Sequence, residues 1–203
     1  MRIEKLVSVL LSGFNNALYT HSCNVCSISV KIARHAGLSS RQIKTLGYGA
    51  LLHDIGKNCI NERLLNKPDR LTYSEFNLIK THTSMGKRMV ETLEGVGKYL
   101  PLILYHHERW DGNGYEGLSG EGIPELASIL TIADAFDAMI SPRSYQTRKT
   151  VFEALAELNR HKGTQFAPLY VEAFEDYLLM NMKDEHLLFQ SDIKELEAFS
   201  IPH

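Results

Sequence analysis

Three cysteines, six prolines and a single tryptophan in 203 residues leave this chain few covalent or rigid devices. Each absence excludes something. An odd, low count of cysteine (Cys23, Cys26, Cys59) excludes a disulfide framework. Cys23-x-x-Cys26 has the spacing of a redox or zinc motif, but a structural zinc wants a second such pair and none follows. Both positions fall mid-helix, where free cysteine serves as a small apolar residue. No apolar run approaches the roughly 20 residues that cross a bilayer. A net charge of -2 supplies no basic field for a nucleic-acid polymer. No stretch alternates apolar and polar residues with period two, so a sheet is not expected. The opening MRIEKLVSVLLSGFNNALYT has neither a strong basic start nor a small-residue cleavage site, so it is not a leader. Its apolar residues Ile3, Leu6, Val7, Leu10, Leu11, Phe14 and Leu18 recur every three or four positions, as in an amphipathic helix. The expected location is the cytoplasm.

What is present is helix. The chain is 44% hydrophobic and 23% charged, an ordinary globular balance, and its length suits one domain with a core of useful size. A second helix is expected over 21–36, ending near Gly37. Ser39 with Gln42 forms a capping box that opens a third, running to His53. Residues 57–71 read as a loop. Thr72 with Glu75 caps a fourth helix to about Leu93. Pro101 suits the first turn of a fifth, which ends near His107. Residues 108–122, ERWDGNGYEGLSGEG, carry five glycines and form the one long irregular stretch. A loop of that length inside a compact domain is more often functional than idle. Pro124 opens a strong helix through ELASILTIADAFDAMI, and two more follow at 150–160 and 168–181. The reading is an all-α helical bundle over 1–181, with 182–203 as a C-terminal helix and tail.

The histidines gather at helix ends. His21 opens the second helix, His53 and Asp54 close the third, His82 lies inside the fourth, and His106 with His107 closes the fifth. Asp134 sits on an apolar face of the sixth, beside Ile132, Ala133 and Phe136. Imidazole and carboxylate are ligands for divalent transition metals. Neighbouring residues on a helix diverge by about 100°, yet both can reach one cluster that lies between their directions. A carboxylate can also bridge two ions, which makes Asp54 the bridging candidate. Asp134 would otherwise be a buried charge, which is costly unless compensated. His35, His161, His186 and His203 read as hydrogen-bonded core or surface residues.

The ordered motifs LLHDIGK, HTSMG (His82 to Gly86), HHERWDGNGY, IADAFDAM and GTQF together resemble the HD-GYP branch of the HD phosphohydrolase superfamily, over roughly residues 12–180. That resemblance implies an HD-domain helical bundle and a metal-dependent phosphodiesterase. It implies hydrolysis of cyclic di-GMP to pGpG, GMP or both. It also implies two divalent metal ions, iron first and manganese second. His21, His53, Asp54 and Asp134 would hold one ion; Asp54, His82, His106 and His107 would hold the other. Ala17 stands where some members carry a glutamate for a third metal, so two are expected. Such a pair lowers the pKa of a shared water and offsets charge building on phosphorus. Lys57, one turn past the ligands, would stabilise or protonate the leaving oxygen, making Asp54 and Lys57 the catalytic pair.

On the substrate side, Gly112 and Gly114 would allow close backbone approach, Tyr115 would stack on or bond to a guanine, and Arg143 would pair with phosphate. Asp111 would fix the loop or orient a ligand histidine, while Trp110 serves packing or stacking equally well. The sequence departs from the family's pattern at three places. Glu116 replaces the proline of GYP, Gln146 stands where a second arginine is frequent, although Arg148 is near, and Thr83 replaces a proline after His82. The first two bear on substrate preference, so two further readings stand beside the first. One is hydrolysis of another cyclic dinucleotide or nucleotide. The other is a catalytically weak domain that binds a cyclic dinucleotide or a partner protein. A sensory or signalling partner and a homodimer are compatible with the family. A membrane and a nucleic-acid polymer are not expected.

Overall fold

The computed structural model describes residues 3–141 and 148–181, with side chains from Val7 onward. Ten α-helices are found among the described residues: α1 Ile3–Leu11, α2 Asn16–His35, α3 Ser40–Leu52, α4 Glu62–Leu65, α5 Tyr73–Lys80, α6 His82–Val90, α7 Leu100–Tyr105, α8 Glu125–Ile140, α9 Val151–Arg160 and α10 Pro168–Asn181. No strand occurs among them. One isolated bridge, Lys162 to Phe166, is the sole extended pairing there. The all-α expectation therefore holds. Helix α2 runs through the middle, its Val25, Cys26, Ile28, Ile32 and Ala33 buried, and packs against α3, α8 and α10. Cys23 and Cys26 lie on this helix and form no disulfide. No described helix is long and apolar enough to cross a membrane. The expected tail at 182–203, Arg143 and Gln146 lie outside the described residues.

The capping boxes at Ser39–Gln42 and Thr72–Glu75 form as read, and a third forms at Thr150–Glu153. Three expectations are corrected. Helix α1 stops at Leu11, and α2 starts at Asn16, because the Asn15 side chain accepts from the Leu18 N–H at 2.9 Å. His21 thus sits in the second turn of α2 rather than at its start. Within 57–71, Asn61 accepts from Arg63 N–H and starts the short helix α4.

The expected helix from Thr72 to Leu93 breaks between Lys80 and His82. Four consecutive carbonyls are taken there by side chains: Leu78 by Thr81 Oγ1 (2.6 Å), Ile79 by His82 Nδ1 (2.8 Å), Lys80 by Thr83 Oγ1 (3.2 Å) and Thr81 by Ser84 Oγ (3.0 Å). Short polar side chains compete with the helix's own N–H donors for these acceptors. The run Thr-His-Thr-Ser thus makes the joint, and it places His82 at the head of α6.

Two glycines set the distance between ligand-bearing segments. Asp54 leads into a 3-10 turn over Ile55–Cys59 that packs on α6. A Cβ at Gly56 would lie 1.9 Å from the His82 carbonyl oxygen and 2.5 Å from Gly86 N; one at Gly86 would lie 3.1 Å from Gly56 N. The glycines of HDIGK and HTSMG therefore face each other, and this backbone contact brings His53 and Asp54 up to His82.

Candidate metal centre

Side chains from five helices or their ends meet at one point: His21 from α2, His53 and Asp54 after α3, His82 from α6, His106 and His107 after α7, and Asp134 from α8. Asp54 is 1% exposed and lies at the middle. Its Oδ1 faces His82 Nε2 at 3.3 Å and His106 Nε2 at 3.8 Å. Its Oδ2 faces His53 Nε2 at 3.3 Å and His21 Nε2 at 3.6 Å. The two oxygens thus serve two separate groups of imidazoles. Asp134 spans the same gap from the other side, with Oδ1 3.1 Å from His21 Nε2 and Oδ2 3.9 Å from His107 Nδ1.

Backbone carbonyls fix three of the rings. Nδ1 of His53 donates to Ala50 O at 2.6 Å, that of His82 to Ile79 O at 2.8 Å, and that of His106 to Ile103 O at 3.0 Å. A carbonyl only accepts, so in each neutral ring the proton is on Nδ1 and the Nε2 lone pair faces the cluster. His21 is held differently: its Nδ1 donates to Asp137 Oδ2 at 2.6 Å. Bonding of the distal nitrogen to a carbonyl or carboxylate is how a metal-binding imidazole is oriented.

This arrangement leaves acceptors facing acceptors. Nε2 of His82 and Nε2 of His106 stand 3.3 Å apart, with both protons on the far side of the rings. His53 Nε2 and Asp54 Oδ1 are buried without a hydrogen-bond partner. Leaving buried acceptors unpaired costs about 1–3 kcal/mol each. Divalent cations would satisfy all of them, and imidazole plus carboxylate is a fitting donor set.

Charge follows the same division. At His21 burial opposes the imidazolium, but Asp134 and Asp137 outweigh it and raise the pKa to about 9. At His107 burial prevails and lowers it to about 4. His106 is held well below the usual range by burial and by its neighbours His107 and His53. Burial also works against ionised Asp54, yet His53 and Lys57 keep its carboxyl well below the usual range. Lys57 Nζ donates to Asp54 Oδ2.

Two residues not singled out in the sequence prove central. Asp137 is 1% exposed and accepts from His21 Nδ1, from Asn24 Nδ2 at 2.9 Å and from Ser141 Oγ at 2.7 Å. Its signal was its position three residues after Asp134, on the same helical face. Glu108, also 1% exposed, accepts from the Glu116 and Leu118 N–H groups and so ties down the glycine loop. No periodicity marks an acid after HH as buried.

The loop explains its own glycines. Gly112 has φ of +80°, and a Cβ at Gly114 would meet Glu108 Cα at 2.6 Å. Asp111 accepts from Arg109 and from Asn113 N–H, so it fixes the loop and does not orient a histidine. Trp110 packs on the core, and GTQF supplies backbone acceptors: Trp110 N–H to Gln165 O and Asp111 N–H to Thr164 O. Tyr115 rests against His107, ring centroids 4.7 Å apart. A cavity of about 790 Å³ opens on the opposite flank, with His21, Lys57, Asp137 and Ala17 in its wall. Gly112, Gly114 and Tyr115 are not part of that wall.

Comparison with known proteins agrees with this construction. The family model described as HD domain matches residues 5–168. A cyclic di-GMP phosphodiesterase of Thermotoga maritima is 40% identical over 175 residues, covering 85% of this chain and 48% of the relative. A 3'3'-cGAMP-specific phosphodiesterase of Vibrio cholerae is 32% identical over 180 residues, covering 86% of this chain and 33% of the relative. The chain spans about half the length, or less, of the curated relatives it matches. In fold it is similar to an HDG"Y"P protein from Bdellovibrio bacteriovorus, with a TM-score of 0.68 at 23% identity over 87% of this chain and 61% of the other. It is likewise similar to the HD domain of an L. monocytogenes phosphodiesterase solved with cyclic-di-AMP, with a TM-score of 0.60 at 16% identity, over 96% and 98% of the two chains. With its paired His53 and Asp54 at the centre of a histidine cage on a helical bundle, the chain belongs to the HD domain family.

Proposed function

We propose that this chain is a metal-dependent phosphodiesterase that hydrolyses cyclic di-GMP to pGpG, GMP or both. The observation that carries the reading is the cage itself: Asp54 turns one oxygen to each of two imidazole groups, and its Oδ1 and His53 Nε2 are buried without a hydrogen-bond partner. His21, His53, Asp54 and Asp134 would hold one divalent ion, and Asp54, His82, His106 and His107 a second. When bound, the pair, iron first and manganese second, supplies an activated water near neutral pH and offsets negative charge on phosphorus. With Ala17 on the cavity wall, no acid one turn before His21 is available for a third ion.

The chain's own residues do the rest. Asp137 accepts from His21 Nδ1 and so keeps the ring turned with Nε2 toward the cluster. Lys57, 26% exposed and at the cavity edge, is placed to give a proton to the leaving ribose oxygen. Glu108 pins the loop so that Tyr115 stays against His107, where its ring can face a base. Gly112 and Gly114 shape that loop, and Arg143 is proposed to pair with a phosphate. The proposed setting is cytoplasmic, with a sensory module or a second copy of the chain as partner.

The likeness to 3'3'-cGAMP-specific relatives favours a mixed cyclic dinucleotide as the second reading. The test is an anaerobic assay of metal-restored protein with cyclic di-GMP, 3'3'-cGAMP and cyclic di-AMP. Fastest turnover of cyclic di-GMP is expected. Fastest turnover of 3'3'-cGAMP moves the assignment to the second reading. Tight binding of any of the three with no hydrolysis overturns both and makes the domain a binding module.

A further inference from the structure

The cavity beside His21 has a wall chemistry that the catalytic reading does not use. Besides Lys57 and the His21 ring, which is turned to the cluster, it contains no cationic and no aromatic side chain. It is instead rich in amides: Asn16, Asn58 and Asn66 all line it. Asn15 is spent capping α2 and Asn24 is spent on Asp137. The side chains of Asn16, Asn58 and Asn66 are not engaged in that way. Asn58 follows Lys57 directly, at the cluster's edge. It stands opposite Gly13 in the turn between α1 and α2, whose Cβ, if present, would lie 3.6 Å from Asn58 Nδ2. Asn58 is exposed, with its amide on the cavity wall.

A carboxamide offers a donor and an acceptor side by side. That pair is complementary to the edge of a nucleobase, which is why asparagine reads bases in pairs of hydrogen bonds. His21 is turned to the cluster and to Asp137, so the polar contacts that the rest of this wall offers a base are to its edge. The volume, about 790 Å³, exceeds that of a single phosphate and falls within the range of small-molecule pockets.

We infer that Asn58, with Asn66 in support, determines base specificity by reading the Watson–Crick edge of one guanine of the substrate, the amide N–H donating to O6 and the amide oxygen accepting from N1–H. The inference rests on the phosphodiesterase reading and extends it to a residue that touches neither metal nor phosphate. The two bases of a cyclic dinucleotide would then meet different surfaces, an amide wall on the His21 flank and the Tyr115 ring on the other.

The test is a ratio: kcat/KM for cyclic di-GMP divided by kcat/KM for bis(4-nitrophenyl) phosphate, a diester without a base edge, on the metal-restored full chain. Asn58→Ala and Asn66→Ala should each lower the ratio about 3- to 10-fold through KM, and the double variant more. Asn58→Asp, which keeps the shape but loses the donor, should lower it as well. Asn58 and Asn66 are exposed, so the variants fold, and a purely structural defect would lower both substrates and leave the ratio unchanged. An unchanged ratio in a wild-type background that cleaves cyclic di-GMP overturns the inference alone. A wild type that cleaves only the base-free diester overturns the phosphodiesterase reading and the inference together.

Discussion

The two halves of the cage differ most in how His21 is held. On the inner side, His82 and His106 are 1% and 0% exposed, and their rings are fixed by backbone carbonyls one turn back on their own segments. Their orientation follows from helix geometry alone, and burial keeps His106 and His107 uncharged. On the outer side, His21 is 13% exposed, borders the cavity and is held by a carboxylate from a different helix. Its charge is set by Asp134 and Asp137, and it favours the imidazolium. The backbone holds His82 and His106, as it holds His53 on the other side of Asp54; a side-chain network holds His21. The first is robust to change at the surface, and the second can be tuned by single substitutions.

The comparison can be broken most severely at the one residue common to both halves. Asp54→Ala should remove metal from both, measured as element per chain on protein purified without chelator, and should take phosphodiesterase activity to background. Retained activity would sink the shared-carboxylate account. Next, His106→Ala and His21→Ala should each cost one ion and leave the other. If either variant loses both, the halves are a single site and the contrast drawn here fails.

Gly56→Ala strikes the scaffold rather than the ligands. Its Cβ would fall on backbone at 1.9 Å, so a loss of about 3 kcal/mol is expected, read as a fall in Tm of roughly 10 °C. An unchanged Tm would show that the contact with α6 is slack. The smallest effect is expected at Asp137→Asn. The fold should persist, while metal affinity on the outer side weakens about 10- to 100-fold, the usual consequence of losing the group that orients a ligand imidazole. Equal weakening on both sides, followed by metal titration, would contradict the separation.

Much of this was legible in the sequence, for identifiable reasons. Helix content followed from apolar spacing, and caps such as Ser39–Gln42 are local signals that tertiary packing did not override. The seven residues His21, His53, Asp54, His82, His106, His107 and Asp134 were legible because they gather in ordered motifs, and the structure brings them together. The break at Thr81 was missed because a capping box and apolar periodicity argued for continuity, while the competing side-chain bonds at 81–84 carry no periodic signature. Asp137 and Glu108 were missed for another reason. A carboxylate that orients a ligand or anchors a loop looks like any solvated acid until its partners, 116 residues away for Asp137, are in place. The glycine loop was read as a substrate wall; its glycines are accounted for by the loop's own closure around Glu108.

The meeting of Gly56 with Gly86 has a consequence for how this protein can change over time. Gly56 leaves no room for a methyl group and Gly86 leaves little, so the spacing between the segments that carry Asp54 and His82 has scant room to vary. Positions such as Asn58 and Asn66, out at the cavity rim, face no such restriction. The rim of the cavity can therefore vary while the ligand cage behind it keeps its spacing.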